Sequence, residues 1–186
     1  MAVSGEAGYL RTFGQKMNFS EDAKFPVAVL YADGDLSVFE TPHLLSAGRR
    51  VDIKAGSQGR FAESTIVDAN GLAWEMNGAE EVGELRFFRR IASLFGRSMR
   101  LRPNIIGEPT QIELAAFKEA IIKSLRKRSA VSIALRIKEG RLGCTILGKT
   151  TSSKLIPDIQ AATRVAEVIS TILSADFPER ELWFGA

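Results

Sequence analysis

The chain has 186 residues, of which 45% are apolar and 25% charged, so it can bury a core and is not expected to be disordered. Its single cysteine, Cys144, excludes an intrachain disulfide, and its single histidine, His43, excludes a site with several histidine ligands. No apolar run approaches the ~18 residues of a membrane-spanning helix, and residues 1–16 lack the apolar stretch of a signal peptide, so the sequence predicts a cytoplasmic protein.

The net charge of +3 is unevenly distributed along the chain. Residues 1–85 carry 7 basic and 13 acidic side chains, whereas residues 86–186 carry 18 basic and 9 acidic side chains. This division is typical of a protein with a charged partner. It is equally typical of two halves that attract each other within one fold.

The first part of the chain is polar and then rich in strand signals. Residues 1–24 are predicted to form a flexible arm. Residues 25–79 are predicted to form an antiparallel β-meander of four or five strands, because apolar residues alternate there. Asp33-Gly34 and Asn70-Gly71 supply its hairpin turns, since such dipeptides accept the backbone conformation of a tight turn.

The second part, residues 80–186, is predicted to form an α+β subdomain. Helices are predicted at residues 80–96 from apolar periodicity, from Thr110 onward from a capping box with Glu113, and from Pro157 to Leu173. Strands are predicted at residues 99–106, 131–138, 142–147 and 182–184.

From residue 97 onward these elements follow the order of a ferredoxin-like (split β-α-β) unit. The predicted fold class is therefore α+β, with an N-terminal antiparallel meander followed by a ferredoxin-like part. The two parts form either separate subdomains, divided between residues 79 and 80, or one compact domain over residues 25–186.

Residues 143–150 match the phosphate-binding pattern GxxxxGK[ST], in which Gly148, Lys149 and Thr150 would contact a nucleotide and its magnesium ion. The four central residues favour a strand rather than a loop, and the next predicted helix begins only at Pro157. The sequence therefore favours a strand that ends in Gly-Lys-Thr, and a nucleotide-dependent enzyme is the least favoured function. Thermal stabilisation by magnesium-ATP or magnesium-GTP would distinguish the two interpretations.

No catalytic residue, metal site or cofactor is predicted. His43 lies in a connection between strands, with no partner residue at a recognisable spacing. Asp33 and Asp35 flank a turn glycine but lack the further acidic ligands of a calcium loop.

The predicted binding residues are basic. Guanidinium groups suit phosphate and carboxylate ligands, so an aligned set could bind a nucleic acid or an acidic protein. The alternative is a solvated surface neutralised by the acidic N-terminal half. The candidate residues are Arg86, Arg89, Arg90, Arg97, Arg100, Arg102, Lys123, Arg126, Lys127 and Arg128.

Three stretches carry a resemblance to known proteins: Val29-Leu30-Tyr31-Ala32-Asp33-Gly34-Asp35, Val51-Asp52-Ile53 and Val67-Asp68-Ala69-Asn70-Gly71-Leu72. Residues 26–77 resemble the N-terminal sheet of small uncharacterised bacterial proteins, some of which are similar to immunity proteins of toxin systems. The resemblance implies a non-catalytic protein that occludes its partner, and it carries over no site residue.

The leading hypothesis is a non-catalytic cytoplasmic protein-binding or inhibitor module whose partner has an acidic surface. The alternative hypothesis is nucleic-acid binding through the basic residues of the 86–141 region, with an affinity that falls steeply with salt. The identity of the partner and the oligomeric state are left open.

Overall fold

A computed structural model of the chain describes residues 19–49, 61–84, 98–127, 132–138, 141–147, 149–175 and 181–184. The strands in these ranges are β1 (Val27–Leu30), β2 (Leu36–Phe39), β3 (Ala47–Arg49), β4 (Ala62–Asp68), β5 (Leu72–Glu84), β6 (Ser98–Gln111), β7 (Ser132–Lys138), β8 (Arg141–Leu147) and β9 (Glu181–Phe184). The helices are α1 (Phe19–Asp22), α2 (Pro42–Leu45), α3 (Leu114–Arg126), α4 (Lys149–Ala161) and α5 (Val165–Leu173). The predicted mixture of helices and strands is confirmed.

All nine strands belong to one sheet, in the order β3-β6-β5-β4-β1-β2-β7-β8-β9. Neighbouring strands are antiparallel except β2 and β7, which are parallel. The predicted boundary between residues 79 and 80 falls inside β5, a strand that pairs with both β4 and β6. The sheet therefore contains strands from both the acidic and the basic half of the chain.

Both predicted hairpin turns are confirmed. Gly34 and Gly71 have φ angles of +82° and +81°, in the left-handed region that glycine enters without steric cost. A Cβ at Gly71 would lie 2.7 Å from Nε2 of Gln111, which donates to the carbonyl oxygens of Asn70 and Gly71. The φ angle favours glycine in this turn, and a larger residue would also displace the Gln111 amide from these hydrogen bonds.

The ferredoxin-like arrangement is wrong, although its elements do follow one another along the chain as predicted. A split β-α-β unit needs the strands that flank a helix to lie close together in the sheet. Instead, β5, β4, β1 and β2 lie between β6 and β7. The N-terminal meander is also interrupted, because β3 pairs with β6 while β1 pairs with β4.

Two predicted helix starts are wrong because strand pairing with β6 extends further than local signals indicate. Residues 80–84 end β5 instead of starting a helix, and Glu80 pairs across with Arg102. Thr110 lies in β6 opposite Ala73, so it does not cap a helix. The Ile112 N–H still donates to the Gly71 carbonyl, at 2.9 Å, so α3 begins only at Leu114.

The prediction of one helix from Pro157 to Leu173 is wrong in its start and its continuity. Pro157 lies inside α4, where its missing N–H removes one hydrogen bond of the helix. A second helix, α5, follows after Ala161. The predicted inward-facing residues are nevertheless buried: Ile159, Val165, Ile169 and Ile172.

Helices α3, α4 and α5 cover one face of the sheet. Helical spacing predicts a buried stripe on α3, and its members Phe117, Ile121 and Leu125 are buried and pack with sheet residues such as Val38 and Val67. The fourth predicted member, Leu114, is only partly buried. Because side chains alternate along a strand, the neighbours Val27, Val29 and Ile66 face the other side.

That other side has its own core, made of aromatic and aliphatic residues. Trp74 and Met76 of β5 lie there with Leu44 and Leu45 of α2 and with Phe19. Residues 19–24, which the sequence placed in the flexible arm, thus include α1 and contribute a buried aromatic ring.

Glu167 fastens the start of α5 and gives this region a pH dependence. The Thr163 N–H donates to Glu167 Oε2 at 2.6 Å, and the Arg164 Nε donates to Oε1 at 2.9 Å. Led by the Thr163 backbone bond, these interactions lower the pKa of Glu167 from 4.5 to about 2. The stabilisation that ionised Glu167 supplies is complete above pH 4.5, and it is lost as the pH falls toward 2.

We therefore expect the Glu167 carboxyl carbon to titrate near pH 2 in a two-dimensional NMR pH series. Glu167→Gln, which cannot ionise, should reduce the change in stability between pH 4.5 and 2 compared with the unmodified chain. A Glu167 midpoint near 4.5 would contradict this account of the α5 start.

Candidate functional site

Asp68 is a fully buried carboxylate and so the first place to look for acid–base chemistry. Its Oδ1 accepts hydrogen bonds from the N–H groups of Asn70 and Leu72, at 2.9 and 2.8 Å, and its Oδ2 accepts one from the Lys24 N–H at 2.9 Å. Since three backbone donors use both oxygens, the carboxylate holds the β4–β5 turn and the chain before β1. We assign Asp68 a structural role.

Two cations of the basic half also have structural partners. The Arg136 guanidinium donates to the Leu173 carbonyl at the end of α5, at 2.9 Å. Lys118 Nζ donates to the Gln160 carbonyl near the end of α4, at 2.8 Å. Positive charge at a helix C-terminus is favourable because of the helix dipole.

The GxxxxGK[ST] residues do not form a phosphate-binding loop in the described part of the chain. Residues 143–147 belong to β8, which pairs with β7 throughout and with β9 over residues 142–145. A P-loop needs free backbone N–H groups that point at phosphate, and pairing on both sides of β8 engages these groups. Lys149 and Thr150 begin α4, earlier than the sequence indicated, and Gly148 lies outside the described residues.

The described residues likewise offer no metal site. His43 is exposed in the single turn of α2. Within the described ranges, no three His, Cys, Asp or Glu side chains are grouped closely enough to share a metal ion.

The last turn of α3 presents three of the predicted binding residues to solvent. Lys123, Arg126 and Lys127 are all exposed there. Lys127 Nζ donates to the Asp33 carbonyl in the β1–β2 turn, which fixes the end of α3 over that turn. A Cβ at Gly34 would lie 2.9 Å from the same Nζ, so glycine permits this close approach.

Two further binding candidates lie on β6. Arg100 and Arg102 are exposed, and they alternate with the buried Leu101, so they point away from the core that contains Leu101. Arg102 forms a salt bridge with Glu80 at 3.1 Å, which links the basic and acidic halves of the chain.

Strand register indicates where these cations stand relative to one another. Leu30 of β1 is level with Thr65 of β4, which pairs with Glu75, which pairs with Ile106 of β6. Past Leu30 the chain enters the β1–β2 turn, which Lys127 contacts. Arg102 of β6 lies past Ile106 toward this same end of the sheet, because β6 runs antiparallel to β1. Five of the predicted binding residues therefore lie at the same end of the sheet, which we call the cationic end: Arg100, Arg102, Lys123, Arg126 and Lys127.

The remaining predicted binding residues lie outside the described residues. They are Arg86, Arg89, Arg90, Arg97 and Arg128.

Trp74 is a site residue that sequence reasoning missed. Its side chain is 1% exposed, and its Nε1 donor has no hydrogen-bond partner within the described ranges. Buried indole N–H groups normally find an acceptor, and an unpaired one costs about 1–3 kcal/mol. The polar segment before the first strand holds three isolated aromatic residues, Tyr9, Phe13 and Phe19. Among them, Phe19 has its ring nearly perpendicular to that of Trp74.

Comparison with protein-family models, with curated protein sequences and with solved structures finds no match to this chain. None of the described helices has both the length and the apolar character needed to cross a membrane.

Proposed function

We propose that the chain is a non-catalytic cytoplasmic protein-binding module that recognises an acidic surface of its partner through the cationic end. The observation that carries this proposal is the exposed last turn of α3, where Lys123, Arg126 and Lys127 stand without an acidic residue in that turn. The resemblance of residues 26–77 to immunity-type proteins favours an inhibitor that occludes its partner.

The charges around the cationic end favour a protein over a nucleic acid. Glu80 is exposed on β5, opposite Arg102 on β6. A phosphate backbone would be repelled by this carboxylate, whereas a protein surface can present charges of both signs. Nucleic-acid binding therefore remains the second candidate.

We expect single charge reversals in α3 to weaken partner binding. Lys123→Glu and Arg126→Glu should each reduce recovery of the partner from an extract of the source cells by about tenfold, because each replaces attraction by repulsion. Gln160→Glu adds negative charge at an exposed position near the end of α4, away from the cationic end; it is the control and should bind like the unmodified chain. Equal recovery with all three variants, or no stoichiometric partner with the unmodified chain, would refute the proposal.

The second candidate is tested with the same proteins. A gel-shift titration with single- and double-stranded DNA and RNA should show no binding at about 50 mM salt if the protein proposal holds. Binding that falls steeply between about 50 and 200 mM salt, and that Arg126→Glu abolishes, would establish nucleic-acid binding instead.

A further inference from the structure

Residues 19–25 form a strap across the sheet face opposite α3, α4 and α5. Phe19 is buried there, and its ring meets the Trp74 ring nearly at right angles, with the centroids 5.2 Å apart. Phe25 approaches Phe19 from the other end of the strap, at 6.4 Å. The strap therefore covers Trp74 with an aromatic ring.

Backbone hydrogen bonds anchor the strap at Lys24. The Lys24 N–H donates to Asp68, and the Lys24 carbonyl accepts from the Ala69 N–H, each at 2.9 Å. Phe19 lies five positions earlier, in α1 and not in a strand of the sheet. Its ring can therefore move away from Trp74 without breaking hydrogen bonds between strands. Lys24 would then act as the pivot.

The strap satisfies only part of what Trp74 requires. Phe19 supplies apolar contact to the indole ring, but the described part of the chain supplies no acceptor to the indole N–H. A ligand whose ring took the position of Phe19, and whose carbonyl oxygen reached the indole N–H, would make a hydrogen bond that the strap does not make. Such a ligand would gain from a donor that is already desolvated.

We propose that the place occupied by Phe19 is a binding site for an aromatic side chain on a peptide segment of the partner. A main-chain carbonyl of that segment accepts a hydrogen bond from the Trp74 indole N–H. This inference rests on the proposed function and specifies the partner's chemistry. Phe19 is the internal occupant, and the partner's ring displaces it. Because one aromatic ring replaces another, the additional hydrogen bond must outweigh the advantage that Phe19 has as part of the same chain.

The test uses the full chain with Trp183→Phe, which leaves Trp74 as the only tryptophan. Phe19→Ala vacates the ring position in this background. N-acetyl-phenylalaninamide, a ring with two carbonyls, is the probe, and N-acetyl-alaninamide is its control. We expect the phenylalanine probe to move the Trp74 indole ¹H–¹⁵N resonance downfield, and to bind the chain that retains Phe19 at least about tenfold more weakly, because the strap competes.

An indole resonance that the phenylalanine probe leaves in place, or that both probes move equally, would overturn the proposal. Phe19→Leu keeps apolar bulk without a ring and provides a folded variant if Phe19→Ala unfolds; it should bind the phenylalanine probe more tightly than the Phe19 chain. The probe is not the natural partner, so this result and the charge-reversal result for Lys123 and Arg126 can fail independently.

Discussion

Asp68→Ala is expected to lower the free energy of unfolding by about 3–5 kcal/mol, the largest effect of any single polar substitution discussed here. The substitution leaves the N–H groups of Lys24, Asn70 and Leu72 without the charged acceptor that now serves all three. Bonds to a charged group are stronger than neutral ones, and these donors are partly buried, so water replaces the lost acceptor only in part. Urea unfolding followed by tryptophan fluorescence measures the loss.

Asp68→Asn is the matched variant for this prediction. Its amide keeps one acceptor oxygen but replaces the other by a donor, so we expect a smaller loss of about 1–3 kcal/mol. Hydrogen exchange should accelerate first at the Lys24 amide if the new NH₂ group faces that side. A loss under about 1 kcal/mol for Asp68→Ala would show that the turn and the strap do not depend on this carboxylate.

Phe117→Ala is expected to lower the free energy of unfolding by about 3–5 kcal/mol. Phe117 is fully buried in the α3 stripe, in the core that the sheet forms with the other two long helices. Removing the ring takes away apolar contacts and leaves a cavity that close-packed neighbours fill only in part.

The control for this second prediction is Ile106→Ala. Ile106 is 50% exposed on β6, so its truncation should change stability by about 0.5 kcal/mol or less. Both variants are measured by the same urea unfolding experiment. Similar effects at the two positions would contradict the location of the core between α3 and the sheet.

The parts of the fold that sequence could predict are those fixed by local chemistry. The glycines at 34 and 71 mark the hairpins because their φ angles suit few other residues. The α3 stripe follows from helical spacing alone. By contrast, the start of α3 depends on a hydrogen bond between Ile112 and Gly71, which are far apart in the sequence, and no local pattern reports it.

The candidate site divides in the same way. The excess of cations after residue 85 is plain from composition. Only strand register shows that Arg102 lies opposite Glu80, and their salt bridge partly neutralises the charge of Arg102. The contact between Phe19 and Trp74 joins two distant segments through packing. Whether a buried indole N–H finds an acceptor depends on every atom around it, so no pattern in a single sequence could indicate that the Trp74 donor is unpaired.

The parallel pairing of β2 with β7 delays completion of the sheet during synthesis, because β7 is made long after β2. β2 meets its neighbour on that side through Ser37, Val38 and Phe39, opposite Ile133, Ala134 and Leu135. At ordinary translation speeds the ribosome needs on the order of 5 to 20 seconds to make the intervening chain. During that interval the nascent chain exposes the edge of β2, which is open to pairing with a strand of another chain.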